Sequence, residues 1–287
     1  MWQALFVVLV SLVSPRMLYA SPPCSRIVSL APSITETLYK LQLGESVVGV
    51  TSYDQYPTSV TTKPKIGGFL DPSLEGIAGL YPSIVIGLVE QRDVLKRLEQ
   101  LGIKTYTVDH RYLTTILQSF TDIASVCEVG DEGNALRREI ELMLEHARHK
   151  AESFEQKKVL FVVSRDYYAP DLREVYVSGK DGIYDSLLPY AGGKNVVTQT
   201  YGSVRAVSLE GLYALDPDVI IEVLPPGTRA VVSDSALRAP WEHTGLLRAV
   251  REGNLHLLDD DWATIPGPRL TILLQKLLLL LHTEQTQ

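Results

Sequence analysis

The chain has 287 residues, 45% of them hydrophobic and 21% charged, an ordinary globular composition with length enough for two modest cores rather than one. Its formal net charge of -7 argues against nucleic acid as a partner, because phosphate binding needs clustered Lys and Arg to release counterions.

At the amino end, residues 4–13 form an uncharged apolar run, followed by Met17, Leu18, Tyr19 and Ala20, with small Ala20 before Ser21 as the cleavage point. Residues 1–20 therefore read as a secretory signal peptide. The run falls well short of the roughly 20 residues that span a bilayer. Cleavage removes Arg16 and no acid, so the charge moves from -7 to -8. Cys24 follows Pro22 and Pro23 rather than the small, apolar residues of a lipid-anchor signal, so a free soluble protein is expected. Cys24 and Cys127 are the only cysteines. Export permits one disulfide between them, and two buried thiols fit the sequence equally well.

Short β-branched runs at 27–30 and 47–50 open an alternation of strand and helix that continues through runs at 84–86, 105–108, 159–163, 219–221 and 255–258. The segment 73–86, "SLEGIAGLYPSIVI", returns as 208–221, "SLEGLYALDPDVII". Each copy reads as a helix begun by a serine N-cap, ended before a proline, then a strand. Two weaker echoes flank the repeat in the same order: "LGESVV" at 43–48 beside "GGKNVV" at 192–197, and "LGIKTYTVD" at 101–109 beside "EGNLHLLDD" at 252–260. The chain is thus expected to hold two similar α/β lobes, 21–130 and 157–287, each a mainly parallel sheet flanked by helices.

Between them, residues 131–156 carry Leu136, Ile140, Met143, Leu144 and Ala147 at helical spacing, which predicts a single long amphipathic helix. At about 1.5 Å per residue it would run nearly 40 Å and brace both lobes rigidly. His146 and His149 lie one turn apart on this helix and read as a solvated face rather than a zinc pair.

In open α/β sheets ligands bind beyond the carboxyl ends of the strands. In the first lobe that rule selects Tyr53, Phe69, Gln91, Arg92, His110, Arg111 and Tyr112. In the second it selects Arg165, Tyr167, Tyr168, Tyr201, Trp262 and Arg269. Aromatic walls suit a large planar or macrocyclic ligand, and arginines suit carboxylates. His110 reads as a surface histidine, and Asp259, Asp260 and Asp261 as a polar loop at the rim, lacking the Gly and closing Glu of an EF-hand.

Four stretches, "RIVSLAPSITETLYKLQLGESVVGVTSYDQYP", "PKIGGFLDPSLEGIAGLYPSIVI", "VYVSGKDGIYDSLLPYAGGKNVV" and "VSLEGLYALDPDVII", together resemble the substrate-binding proteins of ABC importers for cobalamin, iron siderophores and haem. The resemblance implies a periplasmic, monomeric carrier. Its partners would be a permease dimer with its ATPase subunits and a small-molecule chelate. Glu75 and Glu210 stand where that family docks to the permease, and Tyr53, Phe69 and Trp262 where cobalamin binders contact the ring. Leu88 and Val204 replace aromatics expected there, which leaves haem or siderophore cargo open beside corrinoid.

No G-x-S-x-G elbow, phosphate loop, dinucleotide fingerprint or H-E-x-x-H occurs, so an exported hydrolase is the weaker reading and no catalytic residue or resident cofactor is expected. A bare-metal carrier would need several inward His or carboxylate ligands, and only six histidines exist.

Overall fold

The computed structural model describes residues 22–180, 182–199 and 204–282; the expected leader and its cleavage point, and Tyr201, lie outside them. In the first lobe the elements are β1 (Ile27–Ser29), α1 (Pro32–Lys40), β2 (Val47–Gly49), α2 (Leu74–Gly79), β3 (Ile84–Leu88), α3 (Arg92–Gln100), β4 (Thr105–Val108) and α4 (Leu113–Val126). Pro32 stands at the start of α1, where its missing N–H costs nothing and its fixed φ suits a helix. The four strands form one wholly parallel sheet in the order β2-β1-β3-β4.

Helix α5 (Gly130–Ala151) then leads to β5 (Lys157–Arg165), β6 (Glu174–Ser178), α6 (Ile183–Leu187), β7 (Gly193–Asn195), β8 (Val204–Ser208), α7 (Leu209–Leu215) and β9 (Val219–Val223). The chain continues through α8 (Thr228–Val231), α9 (Asp234–Glu242), α10 (Arg248–Arg251), β10 (Leu255–Leu258) and α11 (Leu270–His282). The second sheet runs β10-β9-β5-β6-β8, with β7 also paired to β5.

The sequence repeat is a structural one. The parallel row β7-β5-β9-β10 reproduces β2-β1-β3-β4, and all three sequence echoes fall on matching strands. Ser73 and Ser208 both cap their helices, accepting from the backbone N–H of Gly76 and Gly211. Strands β3 and β9 are buried along their whole length, as expected of parallel strands covered on both faces.

The second sheet departs from the mainly parallel expectation: β6 runs antiparallel to β5, and β8 antiparallel to β6, so the sheet is mixed. In β6, Val175 and Val177 point inward while Glu174 and Tyr176 face out, the one-sided alternation typical of antiparallel strands. The nine-residue β5 accommodates both neighbours, β7 along its first three residues and β6 along its end. Val162 pairs with Val177 but Ser164 with Tyr176, so Val163 is an extra residue that reverses the facing of Ser164 and Arg165.

Helix α5 stops at Ala151, short of residue 156, because Phe154 stacks on His282 (centroids 4.2 Å apart) and turns the chain into β5. Its 22 residues span about 33 Å at 1.5 Å per residue. Leu136, Ile140, Leu144 and Ala147 of α5 sit in a continuous apolar core with Ile27 and Ile34 of the first lobe, Phe161 and Ile221 of the second, and Leu273 and Leu277 of α11. The helix is therefore part of both lobes' interior. Gly133 allows its close approach to α4, since a Cβ there would stand 2.3 Å from that of Ala124. A disulfide joins Cys24 to Cys127, Cα atoms 5.1 Å apart, just before α5 begins.

Candidate functional site

The carboxyl ends of the two sheets face a cavity of about 570 Å³. Glu90 after β3, and His110, Arg111 and Tyr112 after β4, form its first wall. Val163, Ser178, Gly182, Ile183, Tyr184 and Val204 form the opposite wall, with Thr264 and Pro266 beyond β10. The strand-end rule thus leads to this cavity, and of the residues it selected His110, Arg111 and Tyr112 line it.

His110 is 3% exposed, its Nδ1 2.8 Å from Ser33 Oγ and its Nε2 2.8 Å from Ser119 Oγ. The Ser119 hydroxyl donates to the Ile116 carbonyl, so it accepts from Nε2–H and leaves Nδ1 to accept from Ser33. Both nitrogens are engaged, and the ring braces α1 against α4 rather than standing on the surface. Burial pushes its pKa down to about 4. The unfolded state then takes up this proton first, so the contribution is intact above pH 6.5 and is lost as pH falls toward 4. At 1.36 kcal/mol per unit the loss is about 3 kcal/mol. Urea unfolding between pH 7 and 4 is expected to reveal this decline in the parent chain and its absence in His110→Gln; parallel declines would remove His110 from that role.

Arg111 folds back on Asp109, with Nε and Nη2 at 2.9 and 2.6 Å from its carboxylate oxygens, and lies 3.9 Å from Glu90. The Arg111 guanidinium holds the Asp109 carboxyl below its ordinary range. Arg92 heads α3 on the exposed surface. The buried amide of Gln91 accepts from Leu88 N–H and donates to the carbonyls of Leu30 and Phe69, fastening the Phe69 loop to the strand ends. Phe69 and Trp262 are half-buried against the core, and Tyr53 is exposed beside Gly68; none of the three lines the cavity.

Two arginines expected at the cleft are engaged elsewhere. The extra residue at Val163 turns Arg165 toward the far face of the second sheet, where it pairs with buried Glu222 at 2.6 Å and donates to the Leu237 carbonyl. Trp241 Nε1 donates to the other Glu222 oxygen. Arg269 donates to both oxygens of buried Glu36 in α1, at 2.6 and 3.0 Å, and to both of Asp261 at 2.8 Å, with Tyr56 stacked 4.3 Å from it. It stitches the second lobe to the first. Tyr167 and exposed Tyr168 follow Arg165 away from the cavity and line a separate depression against α8 and α9. Burial pushes the Tyr167 phenol up to about 12.

Sequence reasoning did not single out Tyr184 or Glu36. Tyr184 lines the cavity, stacks on Phe161 and donates to the Ala263 carbonyl at 2.8 Å. Its segment, GIYDSL, lies within the quoted stretch VYVSGKDGIYDSLLPYAGGKNVV, and no local signal marked the tyrosine. Glu36 was legible as an acid between Ile34 and Leu38 on the helix, and the structure buries it, which demands a partner.

Glu75 and Glu210 are exposed at the second residue of α2 and α7, equivalent positions in the two lobes. Hydrogen bonds from its own backbone N–H and the Ser208 hydroxyl hold Glu210 below the usual carboxylate range. His146 and His149 lie on the exposed side of α5. Among the described residues no group of three or more His, Cys, Asp or Glu side chains converges to hold a metal ion.

Comparison with known proteins finds that a family model described as periplasmic binding protein matches residues 27–261. The uncharacterized ABC transporter substrate-binding lipoprotein YvrC of Bacillus subtilis (strain 168) is 31% identical over 259 residues, 85% of this chain and 76% of that protein. A vitamin B12-binding protein of Vibrio parahaemolyticus serotype O3:K6 (strain RIMD 2210633) is 25% identical over 252 residues, 87% of this chain and 86% of that one. Among solved structures, the periplasmic heme-binding protein RhuT from Roseiflexus sp. RS-1, in apo form, matches with a TM-score of 0.77 at 27% identity, covering 90% of this chain and 98% of that one.

Proposed function

This chain belongs to the periplasmic binding protein family, and from that membership we propose that it captures a corrinoid or iron chelate between its lobes and delivers it to an ABC importer. The observation that carries the reading is the cavity between the carboxyl ends of two duplicated sheets, with a capped acid at the equivalent position of each lobe. The permease with its ATPase subunits is the partner, and the chain itself acts as a monomeric carrier without catalysis. Each acid stands in the first turn of a helix that leads back to the amino end of the next parallel strand, so both acids lie toward the strands' carboxyl ends, the side on which the cavity opens.

The carrier is free in the periplasm. The relative YvrC is named a lipoprotein, but here the Cys24 sulfur is bonded to Cys127 and is not available to bear a lipid. Haem or siderophore is the alternative cargo to corrinoid, with a bare metal ion the weaker reading.

Two acids at opposite tips of a rigid body set orientation and on-rate through complementary charge. Charge reversal at both, Glu75→Lys with Glu210→Lys, is expected to lower uptake about tenfold or more while chelate affinity is unchanged. Uptake assays in cells beside calorimetry on the purified protein test this. Normal uptake would leave these acids as no more than favourable charges in the first turns of their helices.

A further inference from the structure

Resting on that reading, we propose that the cavity selects a chelate with an uncharged, amide-bearing periphery and discriminates against one that presents carboxylates. The discrimination is electrostatic. Among the described residues that line the cavity, Arg111 is the one cationic side chain and Glu90 the one acid, and Asp109 adds a second carboxylate directly behind Arg111. The local formal charge is therefore -1, from one cation and two anions. Asp181 and residues 200–203 (Thr-Tyr-Gly-Ser) lie outside the described residues and are not counted.

Arg111 is held by its own neighbour. A bidentate pair at 2.9 and 2.6 Å engages two of the five guanidinium N–H groups with Asp109, the Arg111 backbone N–H bonds the same carboxylate, and Glu90 stands 3.9 Å away, so the cation's charge is already countered before any ligand arrives. Arg165 and Arg269 are enclosed in ion pairs with Glu222, Glu36 and Asp261. A carboxylate entering the cavity must share Arg111 with Asp109 while meeting Glu90 and Asp109 as like charges. Both costs rise as water is excluded. A carboxamide meets neither: its N–H groups can donate to Glu90 and to the Thr264 oxygen, whose own proton goes to the Asp261 carbonyl, and its oxygen can accept from the Tyr112 hydroxyl. Specificity here comes from a repulsive element as much as from an attractive one.

The test is calorimetry on the full mature protein with cyanocobalamin, haem and ferric citrate as probes. Cyanocobalamin should bind about tenfold tighter than either carboxylate chelate, with less than about a twofold change between about 50 and about 300 mM salt. Asp109→Asn, which frees Arg111, should raise haem and ferric citrate affinity about tenfold and leave cyanocobalamin within about twofold. Glu90→Gln, at an exposed side chain, should move the ratio the same way and serves if the Asp109 variant does not fold. Equal or tighter binding of haem or ferric citrate by the parent chain, or ratios unmoved by both variants, overturns the selectivity while sparing the carrier role. Failure to bind any probe overturns the carrier role itself.

Discussion

Arg269→Met is expected to destabilise the protein by about 3 to 5 kcal/mol at neutral pH, the usual cost of removing one member of a buried ion pair. The residue is 8% exposed and Glu36 2%, so deletion of the guanidinium strands a carboxylate with Asp261 and Asp54 as its charged neighbours. Burial already pushes the Glu36 carboxyl above its ordinary value despite Arg269, and without Arg269 it rises further. A group with a raised folded pKa favours the native state below its unfolded value and opposes it as pH rises through the folded one. The penalty should therefore shrink on acidification toward pH 4.5, the unfolded value of Glu36. Denaturant titrations at pH 7 and pH 5, with Glu36→Met/Arg269→Met beside the single variant, check this. Restored stability in the double variant identifies a stranded charge as the cause; equal loss in both identifies packing instead.

Loss of the disulfide should be comparably severe. Cys24 and Cys127 are 103 residues apart, and closing a loop of about 100 residues is worth about 4.7 kcal/mol in the chain-entropy account. Cys24→Ala/Cys127→Ala should lower guanidinium stability by about 4 to 5 kcal/mol. A loss under about 1 kcal/mol would mean that the unfolded chain is compact whether or not it is crosslinked. The bond lies in the first lobe and Trp241 in the second, yet the two lobes share one apolar core through α5 and α11. Trp fluorescence and far-UV dichroism should therefore follow one common transition in the variant.

The repeated segment, its serine caps and the β3 and β9 strands were legible because each depends on local chemistry: a hydroxyl before a helix, a β-branched run after a proline. The disulfide was not, because two cysteines 103 residues apart give no sign of whether their Cα atoms meet. Site residues were legible in position along the chain but not in facing. The strand-end rule selected Arg111 and His110, which line the cavity, yet one additional residue at Val163 was enough to send Arg165 into the opposite core. Composition favoured arginines as ligand contacts; their acidic partners, Glu222 on β9 and Glu36 on α1, are remote in sequence and declare themselves only after folding.

The antiparallel pair β6 and β8 belongs to one half of the duplicated architecture alone. Without it, the two halves would present the same strand order and direction to a partner. A body of that kind, approaching a partner with two equivalent recesses, would settle in either of two orientations almost equally often. Ser178 and Val204 from this pair stand in one cavity wall and have no counterpart in the other. The pair thus gives the carrier a handedness at its mouth, and a free-energy gap of only about 1.4 kcal/mol between the two landings would make roughly nine encounters in ten deliver the cargo the same way round.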